Sequence, residues 1–365
     1  MQQKSPDLFY KYKDKIVALL ALCILVWLIF GSFLLFENYS KNFEIVTPQV
    51  IQQSEKNDIE NVQLDTAQSF IYSTSSYPVA VMIDNHSLAR PQSGLSYAQL
   101  VYESLVEGGA TRFMAFFNAN ESIERIGPVR SARPYFVDWA SEYQSLYIHA
   151  GGSPEALEKI SQGQVHDVNE ISGYGTKYFW RGTDFSAPHN LFTSTEKIRQ
   201  ILIDWELTDK SILLDNFFTH TNFINTSTDA IAQEVSVDYS EGNTYDAYFI
   251  YEPIKKVYIR YDGQQEKVDN LNSQPIAATN IIIQLIQPEM IVDEVGRLNL
   301  SIVGSGNGKL FQQGIVKNII WKKQLAERTL FFNPDGSPIQ LLPGLTWIMV
   351  VPNDRTIFIN KSPLY

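Results

Sequence analysis

No lysine stands between residues 57 and 158, yet five of the chain's eleven arginines fall there: Arg90, Arg112, Arg125, Arg130 and Arg133. A solvated surface normally mixes lysine with arginine. Arginine alone points to planar, two-pronged recognition of a carboxylate or phosphate. Arg130 and Arg133 lie in Gly127-Pro128-Val129-Arg130-Ser131-Ala132-Arg133-Pro134, a stiff segment between apolar runs. Internal ion pairs to Asp84, Glu103, Glu107 or Asp138 are the competing use for these side chains.

Other chemistry is weaker in the sequence. The five histidines, His86, His149, His166, His189 and His220, show no zinc-ligand spacing, so no metal site is expected. His149 precedes Gly151-Gly152, and His189 lies in Ala187-Pro188-His189-Asn190; both are loop contexts in which polar side chains often serve ligands. Ser194-Thr195-Glu196-Lys197 matches the S-x-x-K of penicillin-binding enzymes, but no Lys-Thr-Gly element accompanies it, and helix capping explains it better. Gly304-Ser305-Gly306-Asn307-Gly308-Lys309 lacks the first glycine and the Ser/Thr of a phosphate loop and reads as a mobile turn between strands. No G-x-S-x-G is present, and no cofactor is implied. The single cysteine, Cys23, excludes a disulfide framework and any Cys-rich metal centre.

The elements that must position these residues follow an α/β pattern in the first half. Pro78–Ile83, Arg112–Phe117 and Leu146–Ala150 read as buried strands, and Ile126–Val129 opens another. Residues 96–107 carry a mixed pattern that admits a helix. Helices are expected from Tyr135 to Tyr143, after Ser153-Pro154, and from Thr193 to Trp205; Ser153 is a fitting N-cap with Pro154 in the first helical position. From about residue 225 the pattern changes. Tyr245, Ala247, Phe249 and Tyr251 alternate, as do Val257, Ile259 and Tyr261, giving a hairpin, and short apolar runs follow to residue 359. The fold class is therefore an α/β domain over 77–222 followed by a β-rich domain over 223–365.

Ahead of both lies Ile16 to Phe36, 21 uncharged residues, long enough for a helix to cross a bilayer. Lys4, Lys11, Lys13 and Lys15 precede it, so residues 1–15 read as a cytoplasmic tail, 16–36 as a transmembrane signal anchor and 37–76 as a polar linker, with the domains outside the cell membrane. Leu20-Ala21-Leu22-Cys23 is a poor lipobox, because Leu22 is too large for its position. The chain's formal charge is −11, and residues 1–36 carry four lysines against two aspartates, which leaves −13 on the exterior part. Such acidity argues against nucleic acid as a partner.

Ala89-Arg90-Pro91-Gln92-Ser93-Gly94-Leu95, Val106-Glu107-Gly108-Gly109 with Thr111-Arg112-Phe113, Gly127 to Tyr135, His149 to Pro154 and Ala187 to Leu191 resemble the YerB-type lipoproteins of bacteria over roughly residues 77–360. That family joins two consecutive domains of unknown function. The resemblance implies a bacterial envelope location and carries no catalytic residue with it. The order of a strand ending in Asp84, then Thr111-Arg112, then Val129-Arg130-Ser131-Ala132-Arg133, then Ala150-Gly151-Gly152 is also similar to the LytR–CpsA–Psr phosphotransferases. Those hold a polyprenyl pyrophosphate with arginines and an aspartate. Here Phe113 follows Arg112 and Ser131 follows Arg130, where that family carries an Asp after Arg.

Three functions remain open. The first is an envelope protein that binds an anionic glycopolymer or lipid phosphate in an arginine-lined cleft. The second is a phosphotransferase or hydrolase acting on a polyprenyl-linked glycopolymer. The third is an interaction scaffold with purely structural arginines. The ligand-binding residues expected are Arg90, Arg112, Arg130, Arg133, His149, Ser153 and His189, with Asp84 and Glu107 as orienting carboxylates. Arg112, Arg130 and Arg133 are expected to face one cleft near the loop from His149 to Ser153, close to the start of the following helix.

Overall fold

The computed structural model describes residues 77–208, 218–222, 229–240, 242 and 244–360. The expected tail, membrane span and linker over 1–76 lie outside these residues. Among the described residues no helix is long and apolar enough to cross a membrane.

Among the described residues, five strands of four residues or more build the first half: β1 (Val79–Asp84), β2 (Leu100–Leu105), β3 (Thr111–Phe117), β4 (Leu146–His149) and β5 (His166–Asn169). Helices α1 (Pro134–Glu142), α2 (Pro154–Ser161), α3 (Gly175–Tyr178) and α4 (Thr195–Asp204) are threaded between and after them. The second half supplies β6 (Glu234–Val237), β7 (Ala247–Glu252), β8 (Val257–Asp262), β9 (Asn280–Ile286), β10 (Gly304–Gln312), β11 (Ile315–Lys323), β12 (Leu330–Phe332), β13 (Thr346–Pro352) and β14 (Ile357–Ile359). The first half is thus α/β and the second rich in strands.

The main sheet does not stop between the halves. Its order is β12-β11-β10-β9-β13-β2-β3-β1-β4-β5. β13 runs parallel to β2, with Leu100 opposite Thr346 and Ser104 opposite Val350. It also runs parallel to β9, with Asn280 opposite Thr346. The change near 222/223 is therefore a change in element type and not a break in the core. A second sheet holds β8, β7, β6 and β14 side by side.

Every residue of β1, β2 and β3 is buried, because both faces of the sheet are covered. On one face Tyr102 stacks on Trp139 of α1 with ring centres 5.0 Å apart. On the other, Phe113 meets Trp347 of β13 at 5.2 Å, and Phe249 of β7 meets the same indole at 5.6 Å. Fully burying such an apolar side chain stabilises the fold by about 1.5–3 kcal/mol. Two-sided burial also removes the alternation that marks a half-exposed strand. That is why 96–107 admits a helix in the sequence but forms a short 3-10 turn (Leu95–Tyr97) and then β2.

The glycine cluster at 304–309 is not a loop; it opens β10. A Cβ at Gly306 would sit 2.6 Å from Trp321 Nε1 and 2.9 Å from Leu285 O, and one at Gly308 would sit 2.6 Å from Ile283 O. The glycines let neighbouring groups approach a strand, a use that composition alone does not separate from a turn. Ser194 caps α4, its Oγ accepting from Lys197 N at 3.2 Å, so the S-x-x-K spacing is a helix start.

Candidate functional site

β1 ends at Asp84, and across the β1–β3 ladder its partner is Arg112. The segment after Gly127 passes the end of β1 and is pinned on both sides. Asp84 N donates to Pro128 O at 2.9 Å and Arg130 N to Met82 O at 3.0 Å, while Ala150 N donates to Arg130 O at 3.0 Å. Gly127 has φ +144°, and a Cβ there would lie 2.8 Å from Leu191 O, so only glycine suits the position. This threading places Arg130 and Arg133 beside the strand ends. Arg130 Nε is 3.0 Å from Asp84 Oδ2. Arg133 precedes α1 and grips Glu107 with two prongs, Nε to Oε1 at 2.5 Å and Nη2 to Oε2 at 2.6 Å. Glu107 itself sits in the tight β2–β3 connection.

Asp84 is the hub. Its Oδ2 also lies 2.7 Å from His189 Nδ1, its Oδ1 accepts from His86 N at 2.9 Å, and the His86 and His189 rings stack at 4.6 Å. Burial disfavours the Asp84 anion, but Arg130, the His86 N–H, His189 and Arg112 outweigh it and hold the carboxyl below its ordinary range. An ionised carboxylate only accepts, so His189 Nδ1 is the donor in this pair. Burial likewise opposes ionisation of Glu107, and the hydrogen bonds and charge of Arg133 overcome it.

Arg112 is the unbalanced member. It is 7% exposed, its Nη1 donates to Ser131 O at 2.8 Å, and its buried Nε has no hydrogen-bond partner. Burial, and then the nearby guanidiniums of Arg133 and Arg130, pull its pKa down to about 10 against the pull of Asp84. Three guanidiniums face two carboxylates, which leaves one positive charge uncompensated. The arrangement can hold an anion; the Asp84–His189 pair can also orient an imidazole for proton transfer.

The remaining expected residues are placed elsewhere. Arg90 turns to the second sheet, with Nη2 donating to Thr244 O at 2.8 Å and Nη1 3.4 Å from Asp262. Arg125 pairs with both oxygens of Asp184 at 2.7 Å and lies over the Phe192 ring at 3.7 Å. His149 is fully buried between Gly151 O, 2.7 Å from Nδ1, and Asp167, 3.2 Å from Nε2. It braces the 149–153 loop and does not face the arginines' carboxylates. Ser153 Oγ accepts from Ala156 N at 3.3 Å, so it caps α2. The five arginines therefore do not converge; Arg112, Arg130 and Arg133 gather with Asp84, Glu107 and His189.

A second polar cluster lies on the opposite face of the main sheet. Glu103 receives Arg260 Nη1 at 2.6 Å and Nη2 at 2.9 Å, Trp347 Nε1 at 2.9 Å and Thr111 Oγ1 at 3.1 Å. Arg260 is fully buried over the rings of Phe113, Phe249 and Trp347 at 5.0–5.3 Å. Lys267 is 3% exposed and donates to Asn85 Oδ1 at 3.1 Å. Asn85 thus joins this cluster to its neighbour Asp84. In the sequence Arg260 sits on the polar phase of an alternating strand and reads as solvent-facing. It is buried only because its own sheet, the second, packs onto the main one. Among the described residues no group of three or more His, Cys, Asp or Glu side chains is placed to hold a metal ion.

An α/β half and a strand-rich half share one sheet, with a buried arginine–carboxylate cluster at its strand ends. Residues 67–206 match the N-terminal domain, and residues 235–348 the C-terminal domain, of a protein family of unknown function, DUF3048. The chain belongs to this family. It is 35% identical over 293 residues to the Bacillus subtilis protein named "Putative lipoprotein YerB", covering 79% of this chain and 85% of that one. A crystal structure of the YerB protein from Bacillus subtilis superposes with a TM-score of 0.69 at 33% identity, covering 81% of this chain and 97% of that chain.

Proposed function

We propose that the protein is a membrane-anchored, extracytoplasmic envelope protein that binds an anionic ligand, a glycopolymer or lipid phosphate, at Arg112, Arg130 and Arg133. The envelope location rests on the lipoprotein name of its relative and on the uncharged run 16–36, which serves as the anchor in this reading. One observation carries the binding: a buried guanidinium, Arg112, keeps a donor without a partner in a cluster with one positive charge to spare. Leaving such a group unpaired is costly unless something completes it. Titration calorimetry with undecaprenyl phosphate and with poly(glycerol phosphate) tests it. Arg130→Lys keeps the charge but loses the fork, and a charge-assisted hydrogen bond of about 1.5–3 kcal/mol corresponds to a roughly 10- to 100-fold loss of affinity. Arg133→Ala acts the same way. Unchanged affinity in folded variants refutes the site.

The Asp84–His189 pair favours a second reading, transfer or hydrolysis at the same anionic group with His189 moving the proton. His189→Gln then abolishes turnover of a polyprenyl-linked substrate while binding persists. Binding without turnover in the unaltered protein decides for the first reading.

A further inference from the structure

Far from the arginines, at the opposite ends of β2 and β3, a cavity of about 770 Å³ opens. Gln99, just before β2, and Asn118, just after β3, both line it. Its other wall comes from β8 and the chain leading to β9, through Val257, Ile259, Gln274 and Ala277. The volume lies inside the roughly 300–1,000 Å³ of small-ligand sites.

The walls are held in place without a ligand. Asp269 is fully buried, and its Oδ1 accepts from Gly94 N at 2.8 Å while its Oδ2 accepts from Ser96 N at 2.8 Å and Ser96 Oγ at 2.9 Å. Asn272 Nδ2 donates to the same Ser96 Oγ at 3.1 Å. The segment carrying Tyr97 and the turn carrying Gln274 are therefore tied to each other, so the opening is preformed.

The chemistry of the lining selects its occupant. Tyr97, Val257, Ile259 and Leu345 provide an apolar bed. Among the described residues, the side-chain amides of Gln99, Asn120 and Gln274 form no hydrogen bond within the protein. An amide donates and accepts at once, which matches the paired capacity of a hydroxyl. A pyranose offers hydroxyls at its edge and C–H faces that lie on aromatic and aliphatic surface. The charged lining residues are one of each sign, Glu121 and Lys255, and no arginine takes part. That composition suits neither a phosphate nor a cation. We propose that this cavity binds a neutral oligosaccharide, at a site separate from the arginine cluster.

The test uses the full-length protein in detergent and a fluorescein-labelled tetramer of N-acetylglucosamine read by anisotropy. Saturable binding at up to millimolar protein is expected, with unlabelled cellotetraose or the unlabelled tetramer competing. The double variant Asn120→Ala/Gln274→Ala alters two exposed side chains and should weaken binding at least tenfold, as should Tyr97→Ala. Leu325→Ala, exposed and outside the lining, should not. Hydrogen exchange should slow at residues 94–99 and 272–279 when the tetramer is added, which locates the site even if Tyr97→Ala folds poorly. No saturation, equal affinity in the double variant, displacement only by a sulfated oligosaccharide or by an unglycosylated peptide, or protection confined to other segments would each overturn the proposal.

Discussion

Replacing Glu103 by Gln removes the anion from a buried pair that holds the second sheet on the main one. Both side chains are fully buried, and Arg260 meets Glu103 through two nitrogens at 2.6 and 2.9 Å. Glu103 also receives Trp347 Nε1 and Thr111 Oγ1, whereas a Gln amide has one oxygen and two donors of its own. Arg260 then stays charged among three aromatic rings, and rings alone do not replace a carboxylate. Breaking a buried pair from one side costs about 3–5 kcal/mol, out of a total stability of about 5–15 kcal/mol. With a urea slope of about 3 kcal/mol per M, the midpoint falls by about 1–2 M. Equilibrium urea unfolding followed by tryptophan fluorescence reads this directly, since Trp347 is itself a partner. Removing the whole pair in Glu103→Leu/Arg260→Met eliminates the uncompensated charge and leaves only the Trp347 and Thr111 donors without an acceptor. The double variant should therefore be more stable than Glu103→Gln by about 2 kcal/mol. A Glu103→Gln midpoint within experimental error of the unaltered protein, or a double variant no better than the single one, refutes this account.

Burial lowers Lys267 to about 7, with Arg260 and Arg90 adding to it and Asp262 opposing. Between pH 7 and the unfolded value near 10.4 the unfolded chain binds a proton the folded one does not, so stability rises with pH across that window. Lys267→Met should flatten the rise by about 3 kcal/mol in urea titrations at pH 7 and pH 10; parallel pH curves for both proteins would rule this out. Burial and then the Asp238 charge raise Asp246 to about 6. The raised value favours the folded state at low pH, and that contribution is lost as pH climbs through 6, so Asp246→Asn should add about 1 kcal/mol at pH 7.5 and little at pH 4. Gly127→Ala forces a Cβ to 2.8 Å from Leu191 O at φ +144° and should cost about 2 kcal/mol or more, measured as a drop in thermal midpoint.

Local features were readable in the sequence wherever one residue type has one local job. Ser153 and Ser194 cap the helices that follow them, and β1, β3 and β4 appear as apolar runs. All five arginines from Arg90 to Arg133 stand out by the absence of lysine around them, and Arg130 and Arg133 lie in the stiff Gly127–Pro134 segment. What sequence cannot show is contact across a long separation. His189 reaches Asp84 from 105 residues away, and Arg260 reaches Glu103 from 157. His149 illustrates a different failure. A histidine before two glycines looks available, but the same loop folds back so that Gly151 O takes its ring nitrogen. Arg90 and Arg125 share the lysine-free stretch with the clustered three, yet Asp262 and Asp184, supplied by distant segments, claim them.

The place of β13 between β2 and β9 has a bearing on how the chain comes into being. Trp347 touches Glu103 across 244 residues of sequence. During synthesis β2 and β9 both emerge long before the strand that belongs between them. Until residue 352 is available, two central edges stand open, each a row of unpaired N–H and C=O groups on apolar strands, the kind of surface that captures other chains. Closing such distant contacts is slow, because the chain entropy is spent before any contact returns it. A copy that ends early, by a nonsense codon or a proteolytic nick ahead of β13, therefore leaves no intact first half to salvage. It leaves a fragment with open apolar strand edges, the kind of species that chaperones and proteases clear.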